Sequence, residues 1–173
     1  TMVQIRALGE PKDFLGIEIK RDRVAGTITI SSEAKVRALA VQLEVKGSRR
    51  TTPMSPETYS GLRGAQPGEP MADTVAYQRA IGSVQHLVET TRPECALPTA
   101  ALAAFAAAPT RTHWEALLEL VGYLGNTAGR GITYGRKSRT VQFWCDANFA
   151  ACLDTRRSTT GWIVAMYGGA VSW

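Results

Sequence analysis

Asp146 is the residue whose position in the sequence most strongly suggests chemistry. It follows a run of strand-forming residues, 141–145, where a carboxylate is poorly suited to a buried sheet. A divalent cation is one compensating partner, because Mg²⁺ prefers carboxylate oxygens and water. Two-metal phosphoryl chemistry, however, needs several acids that converge on one point. A strand-end aspartate is also a common turn residue, so the residues alone leave both a metal role and a turn role open.

Two groups of basic residues can contact a polyanion. One surrounds a glycine-rich turn and the other precedes Ser158; the members are Arg130, Arg136, Lys137 and Arg139, and then Arg156 and Arg157. Tyr134 and Trp144 lie near them in the sequence, and cations interleaved with aromatic rings suit a phosphate backbone. The net charge of +5 is compatible with such a partner. A solvated hairpin surface explains the same residues equally well.

The other reactive side chains predict structural roles. His86 and His113 lie beside apolar neighbours in helical segments, which favours packed or capping histidines over a general base. No HExxH, Walker loop, Rossmann glycine fingerprint or nucleophile elbow is present. The three cysteines, Cys95, Cys145 and Cys152, lack metal-ligand spacing, and their odd number predicts ordinary thiols in a reducing, intracellular compartment.

Composition predicts a soluble globular chain. With 173 residues, 45% hydrophobic and 20% charged, the sequence is long enough for one sizeable core or two small ones. Its longest weakly polar stretch, residues 96–108, is interrupted by Pro98 and is shorter than the roughly 20 apolar residues that cross a bilayer. No signal-peptide pattern is visible in residues 1–10. We therefore expect no membrane association.

The first half of the chain predicts a hairpin, a helix and a connector. Residues 14–19 and 27–30 alternate like strands, with a turn signal between them. Ser31 or Ser32 can cap the following helix, which we expect to end near Gly47. Residues 47–71 are rich in Pro, Gly, Ser and Thr and predict a long exposed connector.

The second half predicts three helices and then strands. Asp73 is the expected N-cap of the first helix, and an alanine-rich helix follows. Thr112 and Glu115 have the spacing of a capping box at the start of the third. Four strand-like runs then predict a β-meander; they are residues 132–134, 141–146, 161–167 and 170–173. The order of elements is that of an α+β fold.

A series of short motifs, in order along the chain, resembles copia-type retrotransposon Pol polyproteins. Residues 8–19 (LGEPKDFLGIEI) resemble the stretch after the catalytic palm motif of the reverse transcriptase. The later motifs are TPM at 52–54, Tyr77 with GS at 82–83, TRP at 91–93, HW at 113–114, YLGNT at 123–127, CDA at 145–147, RRST at 156–159, GW at 161–162, GG at 168–169 and SW at 172–173. The resemblance covers nearly the whole chain.

The resemblance implies an RNA-directed DNA polymerase joined to a ribonuclease H that holds two Mg²⁺ ions in a cluster of acids. By it, Asp146 is the first acid of that cluster, and the paired aspartates of the polymerase lie outside the segment. The implied divisions are a palm end with a following helix at 1–46, a connector at 47–72, a helical thumb-like and connection-like region at 73–129, and the first strands of an incomplete ribonuclease H-like mixed sheet at 130–173. Glu94, His86 and Asn148 depart from the family pattern.

Three hypotheses follow from this interpretation. The first is a reverse transcriptase–ribonuclease H fragment that contacts the backbone of a primer–template or RNA–DNA hybrid. We expect its catalysis and its tight Mg²⁺ binding to need residues outside the segment. The second is an exapted, non-catalytic structural protein that binds protein partners, in a cytoplasmic particle or the nucleus. The third is an independent nucleic-acid-binding module, whose affinity would fall steeply with salt.

Overall fold

A computed structural model describes residues 9–46, 51–135, 139–149, 154 and 156–173. The elements, in chain order, are β1 (Asp13–Phe14), β2 (Ile17–Asp22), β3 (Thr27–Ser31), α1 (Glu33–Gln42), α2 (Pro56–Gly61), α3 (Thr74–Thr90), a 3-10 turn (Pro93–Cys95), α4 (Ala96–Ala103), α5 (Arg111–Asn126), β4 (Gly131–Gly135), β5 (Gln142–Asn148), β6 (Thr159–Met166) and β7 (Gly169–Ser172). Antiparallel sheets thus lie beside helices, which confirms the predicted α+β class.

The N-terminal sheet has the order β1-β2-β3-β4, and all of its pairings are antiparallel. The predicted hairpin is confirmed as β2 and β3, with Ile19 opposite Ile30. The prediction that residues 132–134 begin the C-terminal meander is wrong, because β4 pairs with β3 and places Ile132 opposite Ile30. A two-residue period identifies a strand but does not choose its partner. Gly131 permits this pairing, since a Cβ there would stand 2.1 Å from the Ile30 carbonyl oxygen.

The helical core consists of α1, α3, α4 and α5. Their facing sides form the core of buried apolar side chains among the described residues; its members include Val36, Tyr77, Val84, Leu87, Leu102, Leu117, Leu120 and Leu124. The Tyr77 hydroxyl donates to the Leu102 carbonyl oxygen over 2.8 Å, so the one polar group of that ring is satisfied inside the core. The helices are therefore held by apolar burial with few polar exceptions.

The helix starts depend on side chains that bond free backbone N–H groups. The Asp73 cap is confirmed: its Oδ1 accepts from the Val75 and Ala76 N–H groups at 2.9 and 3.0 Å. The Thr112–Glu115 capping box is wrong, because the N-cap of α5 lies two residues earlier, at Thr110, and the helix begins at Arg111. Thr110 and His113 form the box instead, and the Thr110 N–H donates to His113 Nδ1 over 3.0 Å. A histidine can take the place of the expected Glu because its unprotonated ring nitrogen is an acceptor.

The connector at residues 47–72 is more structured than predicted in the part that the structure describes. It contains α2, which Ser55 caps by accepting from the Thr58 N–H at 3.1 Å. Leu62, directly after α2, is buried in the helical core. Met71 then forms an antiparallel bridge with Thr110. A single buried leucine has no periodicity, so the sequence pattern could not reveal this anchor.

The C-terminal sheet has the order β5-β6-β7 and is antiparallel. Its β7 side joins the rest of the molecule. The Gly135 N–H donates to the Tyr167 carbonyl oxygen over 2.8 Å, and the Trp173 indole N–H donates to the Val88 carbonyl oxygen of α3 over 3.1 Å. At the other edge, all seven residues of β5 are exposed. None of the described helices combines the length and apolar character that a bilayer crossing needs.

Candidate nucleic-acid interface

Asp146 lies on β5 opposite Gly161, which has no side chain to cover it. The carboxylate is exposed, and its Oδ1 accepts from the N–H of the next residue, Ala147, at 2.9 Å. The premise that this acid faces a core is therefore wrong for the described residues. No group of three or more His, Cys, Asp or Glu residues in that part of the chain can hold a metal ion.

Arg130 lies between α5 and β4 and packs against Tyr123. Its Nη1 donates to the Tyr123 hydroxyl over 2.8 Å, and its guanidinium lies 5.8 Å from the ring centroid. Arg92 lies at the same distance from that ring but is fully buried, and its Nε forms a 2.8 Å ion pair with Glu94. The geometry gives Arg130 a role in stabilising the end of α5.

The other predicted basic residues do not gather on one surface. Arg156 and Arg157 are exposed and directly precede β6, at the end of the hairpin where Asn148 faces Thr159. Arg139 is exposed in the link that follows Gly135, and four residues of chain keep it within about 14 Å of that glycine. Arg136 and Lys137 lie outside the described residues. Arg156 and Arg157 lie before the first residue of β6, and the eight residues of that strand span about 26 Å. The two arginines therefore lie far from the link that carries Arg139.

A groove at the end of the N-terminal sheet combines cations with aromatic rings. It has a volume of about 400 Å³, and its lining includes Arg21, Arg23, Tyr134 and Tyr167. We call it the Arg–Tyr groove. The antiparallel register explains its composition: Thr27 faces Gly135, so the turn after β2 and the end of β4 meet at one edge. The link that carries Arg139 leaves the sheet at this edge.

Acidic groups offset part of the charge of the Arg–Tyr groove. The carboxylate of Glu10 lies 3.4 Å from a guanidinium nitrogen of Arg21 and 3.2 Å from one of Arg23. Asp22 forms the turn, where its Oδ1 accepts from the Val24 and Ala25 N–H groups at 2.9 and 2.8 Å. These ion pairs are exposed and hence weak, so an incoming phosphate can compete with Glu10 for both arginines.

The two tyrosines of the groove are held by the contact between the sheets. The Tyr134 hydroxyl donates to the Ala170 carbonyl oxygen over 2.6 Å, and burial raises the pKa of this phenol above its ordinary value. Tyr167 occupies the turn between β6 and β7 with φ of 54°, and its side chain is 42% exposed. One ring is thus fixed and the other is accessible to a ligand.

Sequence reasoning named Tyr134 but missed Arg21, Arg23 and Tyr167. Arg21 lies near the end of β2 and Arg23 directly follows the strand, in the segment Lys20-Arg21-Asp22-Arg23, which is an evident charge run between the predicted strands. Their link to Tyr134 depends on the pairing of β3 with β4, which joins residues more than a hundred positions apart. The charge run therefore indicated the two arginines as candidate binding residues, but no local pattern indicated that Tyr134 lies beside them.

His113 takes the packed and capping role that the sequence predicts, whereas the prediction is wrong for His86, which is exposed in the interior of α3 and caps no helix end. His113 is buried, accepts from Thr110, and lies 3.0 Å from the Arg63 carbonyl oxygen through Nε2. Burial lowers its pKa below the ordinary value, although the Arg63 carbonyl and the charges of Glu69 and Asp154 act in the opposite direction. His86 is exposed on α3, and its Nε2 lies 2.7 Å from Lys35 Nζ.

Sequence comparisons relate this chain to retrotransposon polyproteins. It is 27% identical to the retrovirus-related Pol polyprotein from transposon TNT 1-94 of Nicotiana tabacum over 98% of this chain and 13% of that protein. It is 31% identical to the retrovirus-related Pol polyprotein from transposon RE1 of Arabidopsis thaliana over 92% of this chain and 11% of that protein. The chain therefore spans only a small part of the length of these relatives.

A shorter relative matches part of the chain. The secreted RxLR effector protein 161 of Plasmopara viticola is 36% identical over 100 residues, which are 57% of this chain and 70% of that protein. No protein-family model matches the chain. No solved structure matches it either.

Proposed function

Since this chain belongs to the copia-type retrotransposon Pol polyprotein family, we propose that it is the segment in which the reverse transcriptase ends and the ribonuclease H begins. Its task is to contact the backbone of a primer–template or RNA–DNA hybrid. The β5–β7 strands then form the first part of a ribonuclease H-like sheet. The free thiols of Cys95 and Cys145 suit an intracellular compartment.

The observation that carries this proposal is the Arg–Tyr groove. Arg21 and Arg23 present two guanidinium groups beside Tyr134 and Tyr167, within a volume of about 400 Å³. Guanidinium groups bind phosphate oxygens with two parallel hydrogen bonds, and a neighbouring aromatic ring stacks on a base or sugar. Such contacts position a nucleic acid without reading its sequence, which is what a polymerase or nuclease needs for any template.

Catalysis is proposed to need residues that this segment does not contribute. Asp146 is one carboxylate on an exposed strand, and two-metal hydrolysis requires several acids around the ions. In the parent enzyme, Mg²⁺ would supply the activation of water and the stabilisation of the leaving oxygen. The chain alone then binds a hybrid but neither extends nor cleaves it. Mg²⁺-dependent cleavage of a hybrid by this chain would refute the proposal.

Hybrid binding by arginine variants tests the groove directly. The full chain is titrated against a fluorescent 16-base-pair RNA–DNA hybrid at two salt concentrations, and the slope of log K against log[salt] is measured. We expect Arg21→Gln and Arg23→Gln each to weaken binding and to reduce the slope by about one contact. Arg111→Gln is the control, because Arg111 is also an exposed arginine in an ion pair, with Glu115 on α5, and lies outside the groove.

The outcomes of this titration are distinct. If both groove variants bind like the Arg111→Gln control, the groove is not the interface. If the affinity of the unmodified chain does not change with salt, phosphate-dominated binding is excluded altogether. The Glu10→Gln variant provides a gain-of-function arm, since it removes the carboxylate that competes for both arginines. We expect it to bind the hybrid more tightly than the unmodified chain.

A second candidate function is an exapted, non-catalytic protein that assembles with other proteins. The observation that favours it is the match to the secreted RxLR effector protein 161, in which 70% of a protein that is not named as a polyprotein resembles this chain. The exposed β5 edge would suit pairing with a partner strand. In the titration above, this function predicts no hybrid binding by any variant.

A further inference from the structure

A second groove, between α1 and α3, has a composition different from that of the Arg–Tyr groove. It has a volume of about 530 Å³ and runs between the facing sides of the two helices. We call it the α1–α3 groove. Its length along α3, from Gln78 to Leu87, corresponds to about 13 Å or two and a half turns. Neither the predicted site residues nor the proposed hybrid contacts lie in it.

The floor of the α1–α3 groove is apolar. Ala38 and Leu39 of α1 face Gly82 and Leu87 of α3 across it. Because these side chains are small or branched, they leave ridges and hollows of the kind into which another helix packs. A phosphate backbone has no apolar groups to cover such a floor, whereas the apolar stripe of an amphipathic helix does.

The rim of the groove is cationic. Lys35, Arg79 and His86 line it, and the described lining residues include no carboxylate. The Lys35 ammonium is held in place: Nζ donates to the Leu15 carbonyl oxygen over 2.8 Å and lies 2.7 Å from His86 Nε2. A fixed positive charge above an apolar floor is complementary to a helix with acidic flanks.

Gly82 is an independent feature of the groove that suits the close approach of another element. It lies inside the seventeen-residue helix α3, where glycine is less favourable than alanine. Crowding does not account for it, because a Cβ at this position would meet no heavy atom of the described chain within 4 Å. A glycine that costs helix stability and has open space beside it leaves room for the close approach of another element.

From these observations, we propose that the α1–α3 groove binds an acidic amphipathic helix of a partner protein. The apolar stripe of that helix lies over Leu39, Gly82 and Leu87, and its acidic side chains pair with Lys35 and Arg79. This inference does not depend on hybrid binding, since it concerns a separate surface. The segment would then hold nucleic acid on one side and a protein on another.

A fluorescent synthetic peptide tests this proposal with the full chain. The probe is a helical peptide with leucines at i, i+3, i+4 and i+7 on a glutamate background. One control peptide has the same composition with its leucines dispersed around the helix, and another has lysine in place of glutamate. We expect saturable binding of the probe alone, measured by fluorescence anisotropy, and weaker binding at high salt.

Two variants locate the binding. Gly82→Gln fills the groove while replacing glycine with a better helix former, so its melting temperature should not fall and its affinity should drop by at least about tenfold. Arg79→Gln should weaken binding about three- to fivefold, as expected for one exposed ion pair. The matched control is Arg37→Gln, an exposed arginine of α1 that pairs with Glu33 and does not line the groove.

The other results overturn the proposal. If the dispersed peptide binds as well as the probe, or if Gly82→Gln binds the probe like the unmodified chain, no helix docks in this groove. If Gly82→Gln instead weakens binding of the RNA–DNA hybrid while the probe does not bind, the groove is a nucleic-acid site. Loss of hybrid binding through Arg21→Gln alone leaves this inference unaffected, so the two proposals fail separately.

Discussion

The helical core and the C-terminal sheet differ sharply in how much side-chain surface they bury. In the core, Val84, Leu117 and Leu120 are fully enclosed, whereas on β5 even Trp144 remains 50% exposed. Apolar burial stabilises a fold roughly in proportion to the area removed from water, so the helices supply most of the stability. Asp146, which carries the strongest chemical expectation of the sequence, lies on the less packed region. The residue for which the sequence predicts chemistry and the residues that stabilise the fold therefore lie in different parts of this chain.

Thiol labelling should show the largest difference between the two regions. Cys95 is buried in the core, where burial, reinforced by the Glu94 carboxylate, raises its pKa to about 12. Cys145 is exposed on β5. In a Cys152→Ser background, we expect a disulfide reagent to label Cys145 at least about a thousandfold faster, since Cys95 reacts only when the core opens. Peptide mapping by mass spectrometry measures both labelling rates. Equal rates would contradict the difference in burial between the helical core and the C-terminal sheet.

Truncation of one large side chain in each region gives the next largest effect. Leu120→Ala creates a cavity in the core and should lower the free energy of unfolding by about 2–5 kcal/mol. Trp144→Ala removes a ring that is half exposed and should lower it by about 1 kcal/mol or less. Urea unfolding followed by far-ultraviolet circular dichroism measures both. A Trp144→Ala loss as large as that of Leu120→Ala would show that the sheet contributes equally to stability.

The His113 imidazole should make the core sensitive to acid. Since burial lowers its pKa in the folded state, the unfolded chain, whose histidine has the ordinary pKa of about 6.5, binds a proton more readily. Stability is then fully present above pH 6.5 and is lost as the pH falls through the folded-state pKa. His113→Gln should remove this dependence. Because glutamine at this position can also accept the Thr110 N–H in a capping box, its cost of about 1–2 kcal/mol at neutral pH should come from the lost contact of the ring with the Arg63 carbonyl oxygen.

A histidine variant outside the core serves as the control for this measurement. His86 is exposed on α3, and it is the other histidine of the chain. If His86→Gln removes the acid sensitivity between pH 5 and pH 6.5 and His113→Gln leaves it intact, the buried ring is not its source. The experiment compares the urea midpoints of the three proteins across this pH range.

The elements of the fold also differ in how far their structure could be predicted from the sequence. Helix α3, with its Asp73 cap, and the strands β2 and β3 were predicted because cap chemistry and period are local properties. Two other features could not be predicted from local pattern. The pairing of β4 with β3 depends on contacts across a hundred residues, and the Arg–Tyr groove depends on that pairing. Similarly, the shift from Thr112 to Thr110 at the start of α5 depends on the buried position of His113.

Trp173→Phe should have a small effect on stability and shows how far the two regions are coupled. The Trp173 indole N–H donates to the Val88 carbonyl oxygen of α3 over 3.1 Å, and this bond joins the C-terminal sheet directly to the helical core. Phenylalanine keeps an aromatic ring but removes the donor, so the free energy of unfolding should fall by about 0.5–1.5 kcal/mol.

Hydrogen exchange shows in which elements this loss of stability appears. If the sheet opens independently, amides of β6 and β7 exchange faster while those of α3 and α5 are unchanged. If every protected amide exchanges faster by the same factor, the sheet and the helices unfold as one unit, and the contrast in burial does not produce a contrast in local stability.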